Sequence, residues 1–210
     1  MDQNNTVQPE KEKKAQKKAG LLVTLYDLVE TLAFVTVFVM LVFAFVARLN
    51  IVSGHSMDTT LYGGVSDGKG GYVGGDWLVV SDLFYTPTPG DIVVVQNTAA
   101  LYSDPLVKRV IAVGGQTVDI DETTWTLKVD GKVVDESAYI HLDGPNVTLS
   151  KVPYPLTLEK NEVFVMGDNR NVSADSRIIG PVDKRCIVGR AIMRVKPISG
   201  FTVFKNPFKK

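Results

Sequence analysis

Cysteine and histidine are scarce in this 210-residue chain, which has one cysteine, Cys186, and two histidines, His55 and His141. A lone cysteine excludes an intrachain disulfide and any cysteine-based metal cluster, and two histidines leave little material for a zinc site. An excess of charge of either sign is also missing. The 23 Lys and Arg residues balance 23 Asp and Glu, so no basic surplus is there to neutralise nucleic-acid phosphates. Long helical periodicity is missing beyond residue 50. Hydrophobic residues at 45% are enough for a core, and the length fits one medium domain with an appendage. No metal, cofactor or nucleic acid is expected.

Charge is absent most completely from "LAFVTVFVMLVFAFVA", residues 32–47. With its flanks this run reaches the roughly 17–25 residues that cross a bilayer. A cleaved signal peptide would have a shorter apolar region and a small-residue cleavage site, whereas Arg48-Leu49-Asn50 follows here. A buried core helix is the other alternative, and an uncleaved anchor fits the run better. Lys11, Lys13, Lys14, Lys17 and Lys18 precede the run, while Arg48 alone lies close behind it before Lys69. The positive-inside rule then puts the N-terminus in the cytoplasm and the remainder across the membrane. The expected organisation is a polar tail over 1–20, a single transmembrane anchor over 21–50, and an extracytoplasmic domain over 51–210.

After the anchor the pattern changes. "GGVSDGKGGYVGGD" (63–76) holds seven glycines without a Gly-Lys-Ser/Thr ending, so it reads as a flexible loop or wide turn and not a phosphate loop. Short β-prone runs follow: "DWLVVSDLF" (76–84), "DIVVVQN" (91–97), "LVKRVIAV" (106–113), "EVFVMGDN" (162–169) and "CIVGRAIMRVKPI" (186–198), the last as one strand or a pair. "WTLKVDGKVVDE" (125–136) predicts a hairpin, because Asp130-Gly131 suits a type I′ turn. The fold class is mostly β, an antiparallel domain with at most one short helix, behind one membrane helix. The basic tail "FKNPFKK" is expected to be disordered.

Polar chemistry is concentrated in three places. "SGHSMDTTL" (53–61) carries Ser53, Ser56, Thr59 and Thr60 around His55. His55 and Ser56 are adjacent, and adjacent side chains do not face each other on a strand or a helix, so His55 is a poor base for Ser56. A lysine serves as a base only when burial lowers its pKa. In "PLVKRVIAV", Leu106, Lys108 and Val110 share one strand face, and Val107, Arg109 and Ile111 the other. Either basic residue can instead snorkel to solvent. Arginine stays charged, which leaves Lys108 as the candidate base. "GDNRNVSADSRIIG" (167–180) is either a long solvated loop or a set of groups that orients a site, with Ser173 holding an amine and Asp175 pairing with Arg177.

Together these stretches resemble one family, the bacterial type I signal peptidases of the Gram-positive type. "GHSMDTTL" is similar to their nucleophile box, "KRVIAVGGQ" to their lysine box, "GDNRNVSADSRIIG" to their last signature, and "PGDIVVV" (89–95) to the box between the first two. The resemblance covers the chain after residue 20. It implies a Ser-Lys endopeptidase that removes signal peptides from exported preproteins, with small residues of the Ala-X-Ala kind before the cut. Ser56 is the implied nucleophile and Lys108 the implied base. Ser173 is the implied partner of the lysine, and Asp175 and Arg177 an ion pair beside the site. Gly54 stands where some members place an oxyanion hydroxyl, so the Ser56 amide becomes the main donor. Met57 is the implied wall of a substrate pocket. Three positions depart from the family pattern: Thr59 and Gly114 replace prolines and Gln116 an aspartate, which predicts looser turns. Two other readings use the same chain. A sortase-like transpeptidase would need Cys186, His141 and an arginine such as Arg190. A non-catalytic anchored binding domain would need none of these groups.

Overall fold

The computed structural model describes residues 8–96, 104–140 and 150–208, with side chains from residue 16 onward apart from that of residue 45. The chain divides into two compact units at Phe45/Val46.

The first unit is one helix, α1 (Gln8–Phe45). Its segment Gln16–Ala44, 29 residues with a mean hydropathy of 2.1, is long and apolar enough to cross a membrane. Apolar side chains such as Leu22, Phe34, Phe38 and Met40 are exposed. A helix that is apolar all round needs non-aqueous cover. The hydroxyls of Thr24, Thr31 and Thr36 donate to the carbonyls of Gly20, Asp27 and Leu32 at 3.0, 2.8 and 2.8 Å. This removes unpaired donors from the apolar surface.

The second unit is antiparallel β. Its first elements are β1 (Arg48–Ile51), β2 (Val65–Ser66), β3 (Tyr72–Val73), β4 (Trp77–Ser81), β5 (Ile92–Val95) and β6 (Leu106–Val113). Then come β7 (Thr117–Asp121), β8 (Thr126–Val129), β9 (Lys132–Val133), β10 (Leu156–Thr157) and β11 (Glu162–Met166). The chain continues through a one-turn helix α2 (Ser176–Ile179) to β12 (Val182–Asp183), β13 (Ile187–Lys196) and β14 (Thr202–Val203). The main sheet has the order β1-β4-β13-β5-β6-β11-β12, with β14 beside β13. A second sheet runs β10-β7-β8-β9, and β2 pairs with β3 alone.

The apolar strands explain the layering. β5, "IVVV", is buried on both faces. Ile92 and Val94 join Val52, Met57, Leu61, Leu78, Val80 and Ala191 in one cluster. Val93 and Val95 join Val110, Val163, Val165 and Val182 in another. Between the sheets, Ile111, Phe164 and Met166 pack on Val118, Ile120, Leu127 and Leu158. Each such side chain contributes about 1.5–3 kcal/mol relative to exposure. This packing fixes β6 rigidly between β5 and β11, with Lys108 opposite Val93, and Arg109 opposite both Ile92 and Met166.

The mostly antiparallel class holds, and so does the hairpin at Asp130-Gly131. Both turn residues have positive φ, 50° and 73°, as a type I′ turn requires. Three expectations change and one open alternative is resolved. Arg48 already stands in β1, paired with Val80, so the β unit begins before residue 50. The glycine-rich stretch contains the β2–β3 hairpin, whose turn is tied by Asp67 Oδ1 accepting from the amides of Lys69 and Gly71 at 2.8 Å each. Of the two alternatives for 186–198, the single strand is the one formed, with two register shifts against β4 and one against β5. Finally, the "FKNPFKK" segment docks through residue 208: Phe204 packs on the first core cluster and Asn206 is hydrogen-bonded to the loop before β5.

Candidate active site

Ser56 lies just beyond β1, in a turn closed by the Asp58, Thr60 and Leu61 amides donating to the carbonyls of His55, Met57 and Met57. Buried Met57 and Leu61 anchor this turn in the core, while Ser56 remains partly exposed. The glycines behind it allow close backbone contact. Gly54 has φ 77° and its amide donates to the Gly63 carbonyl at 3.2 Å. A Cβ on Gly63 would lie 1.6 Å from the Gly54 carbonyl oxygen. Among the described residues the Ser56 amide meets no backbone acceptor, so it is available to a developing oxyanion.

Lys108 comes from the middle of β6. Its Nζ donates to Ser56 Oγ at 2.7 Å and to the Val107 carbonyl at 3.0 Å. The side chain is 2% exposed. Its pKa falls from 10.5 to about 8: burial lowers it most, the carboxylates of Asp175 and Asp168 offset part of this, and Arg177 adds to the fall. Desolvation therefore decides the sign, and the amine loses its proton far more readily than a surface lysine. A neutral amine at this distance can accept the Ser56 proton.

The loop after β11 closes the far side. Asp175 and Arg177 form a fully buried bidentate pair, with 2.9 Å contacts from Nε to Oδ1 and from Nη2 to Oδ2. Asp175 also accepts from the Gly167 amide at 3.0 Å and caps α2 through the Arg177 amide at 3.2 Å. Burial pushes the Asp175 carboxyl up, but the hydrogen bonds and charge of Arg177, with the Gly167 amide, outweigh this and hold it below the ordinary range. Arg177 Nη2 donates to the Arg170 carbonyl at 2.8 Å. Ser173 is buried beside Gly167, but its hydroxyl has no hydrogen-bond partner among the described residues, so the expected bond to the lysine is not formed. Met57 is 1% exposed in the core cluster, and its sulfur accepts from the Asp168 amide at 3.5 Å. It supports the turn from within and offers no open pocket wall.

Three supports escape a reading of the sequence alone. Arg109, on the β6 face opposite Lys108, pairs bidentately with Asp168 at 2.8 and 2.6 Å, and Thr60 Oγ1 donates to the same carboxylate at 2.6 Å. This ties β6, the post-β11 loop and the Ser56 turn to one buried charge. Arg170 forms a bidentate pair with Glu136 and donates to the Gly167 carbonyl at 3.0 Å. A Cβ on Gly167 would lie 2.3 Å from the Ser56 carbonyl oxygen and 2.2 Å from Ser173 Oγ, so only glycine lets the serine turn sit here. The available signals were the arginine in an apolar strand, which demands a carboxylate partner, and the glycine at the strand's end.

The departures from the expected prolines have local causes. Thr59 has φ 82°, a conformation that proline cannot adopt, and its hydroxyl donates to the Tyr139 carbonyl at 3.4 Å. A Cβ on Gly114 would lie 2.3 Å from the Lys160 carbonyl oxygen. Gln116 Oε1 accepts from the Val113 amide at 3.0 Å, closing the same turn. These turns are held by contacts in place of prolines. Thr59→Gly is therefore expected to stabilise the protein by about 1 kcal/mol, because a left-handed residue with a Cβ costs roughly that. Thr59→Pro is expected to lower both the melting temperature and activity. Thermal denaturation of both variants checks the opposite signs.

His55 does not face Ser56; its Nδ1 lies 2.7 Å from Asp58 Oδ2 and its ring meets the Tyr72 ring edge-on at 5.5 Å. Cys186 closes a short 3-10 turn, Lys184–Cys186, before β13. His141 lies outside the described residues. The Arg190 Nε is 3.4 Å from Asp91 Oδ1. Among the described residues no group of three His, Cys, Asp or Glu side chains is arranged to hold a metal ion.

Known proteins resemble this chain over most of its length. Residues 25–196 match the family described as "Signal peptidase, peptidase S26". Signal peptidase IB of Staphylococcus aureus is 32% identical over 191 residues, covering 83% of this chain and 90% of its own. Signal peptidase I of Mycobacterium tuberculosis is 30% identical over 232 residues, covering 86% of this chain and 75% of its own. A probable signal peptidase I-1 of Synechocystis is 37% identical over 134 residues, and the match spans 60% of this chain and 64% of that relative's length. A crystal structure of a signal peptidase I from Enterococcus faecalis aligns with 50% of this chain and 97% of its own, at a TM-score of 0.41 and 23% identity.

Proposed function

The chain belongs to the peptidase S26 family of signal peptidases, and from that premise we propose that it cleaves signal peptides from exported preproteins with Ser56 as nucleophile and Lys108 as general base. The 2.7 Å contact between Ser56 Oγ and a buried amine carries this reading. Neutral Lys108 accepts the hydroxyl proton as Oγ attacks the scissile carbonyl. The Ser56 amide stabilises the oxyanion. The protonated lysine then donates to the leaving amine, which frees the new N-terminus and leaves an acyl-enzyme. Water, deprotonated by the same amine, attacks the ester; the proton returns to Ser56 and the signal peptide leaves as a carboxylate. Ser173, whose hydroxyl has no partner among the described residues, would take the lysine's hydrogen bond once Ser56 is acylated. The buried Asp175–Arg177 pair braces the turn that carries Ser173.

Family relatives and the apolar helix put the protein in a membrane. The finer topology is part of the proposal: a single pass, with Lys11, Lys13, Lys14, Lys17 and Lys18 on the cytoplasmic side and the β unit outside. The anchor tethers the β unit to the bilayer in which signal peptides are held. An extended substrate pairing with a strand edge would drop alternate small side chains towards the dyad.

A pH profile tests this reading. With Lys108 titrating at about 8, kcat/KM for a preprotein should rise tenfold per pH unit below 8 and level off above it. A limb that keeps rising to pH 10.5 would show that the base is an ordinary lysine.

A further inference from the structure

Residues 204–208 lie beyond the 25–196 span that matches the family, yet they pack against the site's supports. The Phe204 amide donates to the Ile192 carbonyl at 2.9 Å, and its ring covers the cluster containing Met57 and Leu61. Asn206 Nδ2 donates to the Pro89 carbonyl at 2.8 Å and to Asp91 Oδ1 at 2.9 Å, while its Oδ1 accepts from the Phe208 amide at 2.9 Å. Phe208 meets the Tyr139 ring at 6.0 Å. Tyr139 in turn lies 4.1 Å from the Arg109 guanidinium and accepts the Thr59 hydroxyl through its carbonyl.

Gly90 is the meeting point. Its carbonyl accepts from Arg109 Nη1 at 2.8 Å, and a Cβ there would lie 2.4 Å from Asn206 Oδ1 and 3.1 Å from the Phe208 ring. The segment thus presses on two of the groups that hold Arg109, Gly90 and Tyr139, and it lines a cavity with Thr59, Thr60, Arg109 and Tyr139. Arg109 follows Lys108 on β6 and meets the segment through Gly90 and Tyr139, and the Ser56 turn meets it through the Thr59 hydroxyl on Tyr139, so both halves of the dyad connect to this one segment.

We propose that residues 204–208 form a latch that positions the dyad, with Asn206 and Phe208 as positioning residues acting through Gly90, Arg109 and Tyr139. This rests on the peptidase reading for its kinetic consequence but not for its structural one. A loose latch leaves the fold intact and lets the Ser56 turn and the Lys108 strand drift relative to each other. Small misplacements remote from the chemistry cost about 10–100-fold in rate.

The test uses the full-length protein in detergent micelles, as wild type, Asn206→Ala and Phe208→Ala. Two measurements run in parallel: hydrogen exchange of the Thr60 and Leu61 amides, which bond to the Met57 carbonyl, and cleavage kinetics on a preprotein. The latch predicts about tenfold faster exchange at Thr60 and Leu61 with unchanged exchange in β7 and β8. It also predicts kcat about tenfold lower at unchanged KM. Wild-type exchange at Thr60 and Leu61 in both folded variants overturns the latch. Faster exchange everywhere assigns the segment to general stability and also overturns it. A wild-type protein that cleaves no preprotein counts against the peptidase reading, while the exchange arm still decides the latch.

Discussion

Ser56→Ala and Lys108→Ala are each expected to lower kcat/KM for preprotein cleavage about 10⁴-fold or more, and the double variant is expected to fall no further. Nucleophile and base act as one unit, so removing either abolishes the covalent route and the effects do not add. What remains is transition-state binding by the oxyanion donor. The 2.7 Å contact between the two groups is the reason to expect a shared floor. Effects that multiply would mean that the two side chains serve separate steps.

Lys108→Met separates chemistry from folding. Lowering the amine's pKa from 10.5 to about 8, at about 1.36 kcal/mol per pH unit, costs roughly 3 kcal/mol when the folded protein carries the charge. The folded-state pKa lies below the unfolded one. The penalty is therefore complete below pH 8, shrinks as pH rises from 8 to 10.5, and is gone above that. At pH 7, Lys108→Met should thus be inactive yet more stable than wild type. Its stability should also lack the wild-type rise between pH 8 and 10.5. Urea titrations at pH 7 and pH 10 measure both. An inactive variant that is also strongly destabilised would point to a structural role for the lysine.

The proposed dyad was legible through the family resemblance, whose nucleophile and lysine boxes single out Ser56 and Lys108; the strand pattern alone left either basic residue free to snorkel to solvent. The hairpin at Asp130-Gly131 was legible from its own residues: φ > 0 at two successive residues selects those types. The supports were not legible, because they are made across long sequence distances. Arg109 reaches Asp168 over 59 residues and Asn206 reaches Asp91 over 115, and neither pairing leaves a periodic trace. Met57 reads as a pocket wall from its place beside the nucleophile, but a short turn projects adjacent side chains in opposite directions. Ser56 therefore faces out and Met57 faces the core. The short basic tail carries no periodic signal of order. Its order comes from Phe204 on the first core cluster, Phe208 on Tyr139 and Asn206 against the bare Gly90 turn.

Asp175→Ala is expected to destabilise the β unit by about 3–5 kcal/mol, the cost of leaving one member of a buried ion pair alone. The cost arises because Arg177 is 0% exposed and has no water to turn to. Among the described residues its Nη1 has no partner, so losing both contacts to Asp175 leaves there only the Nη2 bond to the Arg170 carbonyl. Asp175 also holds the Gly167 amide and caps α2, which adds two orphaned donors. The double variant Asp175→Leu/Arg177→Met removes both charges and should recover much of the loss, because apolar replacement of a buried pair is often neutral. It should not recover cleavage. Gly167 would still lose the bond that fixes it under the Ser56 carbonyl, and the turn carrying Ser173 would lose its brace. The pair's carboxyl titrates below the ordinary range, so its contribution is full above about pH 4 and is lost only as pH falls through the folded value. Denaturant midpoints at pH 7 and pH 3, measured beside cleavage rates, separate the two roles. A double variant that regains both stability and rate would reduce the pair to packing, and one that regains stability alone assigns it to the geometry of the site.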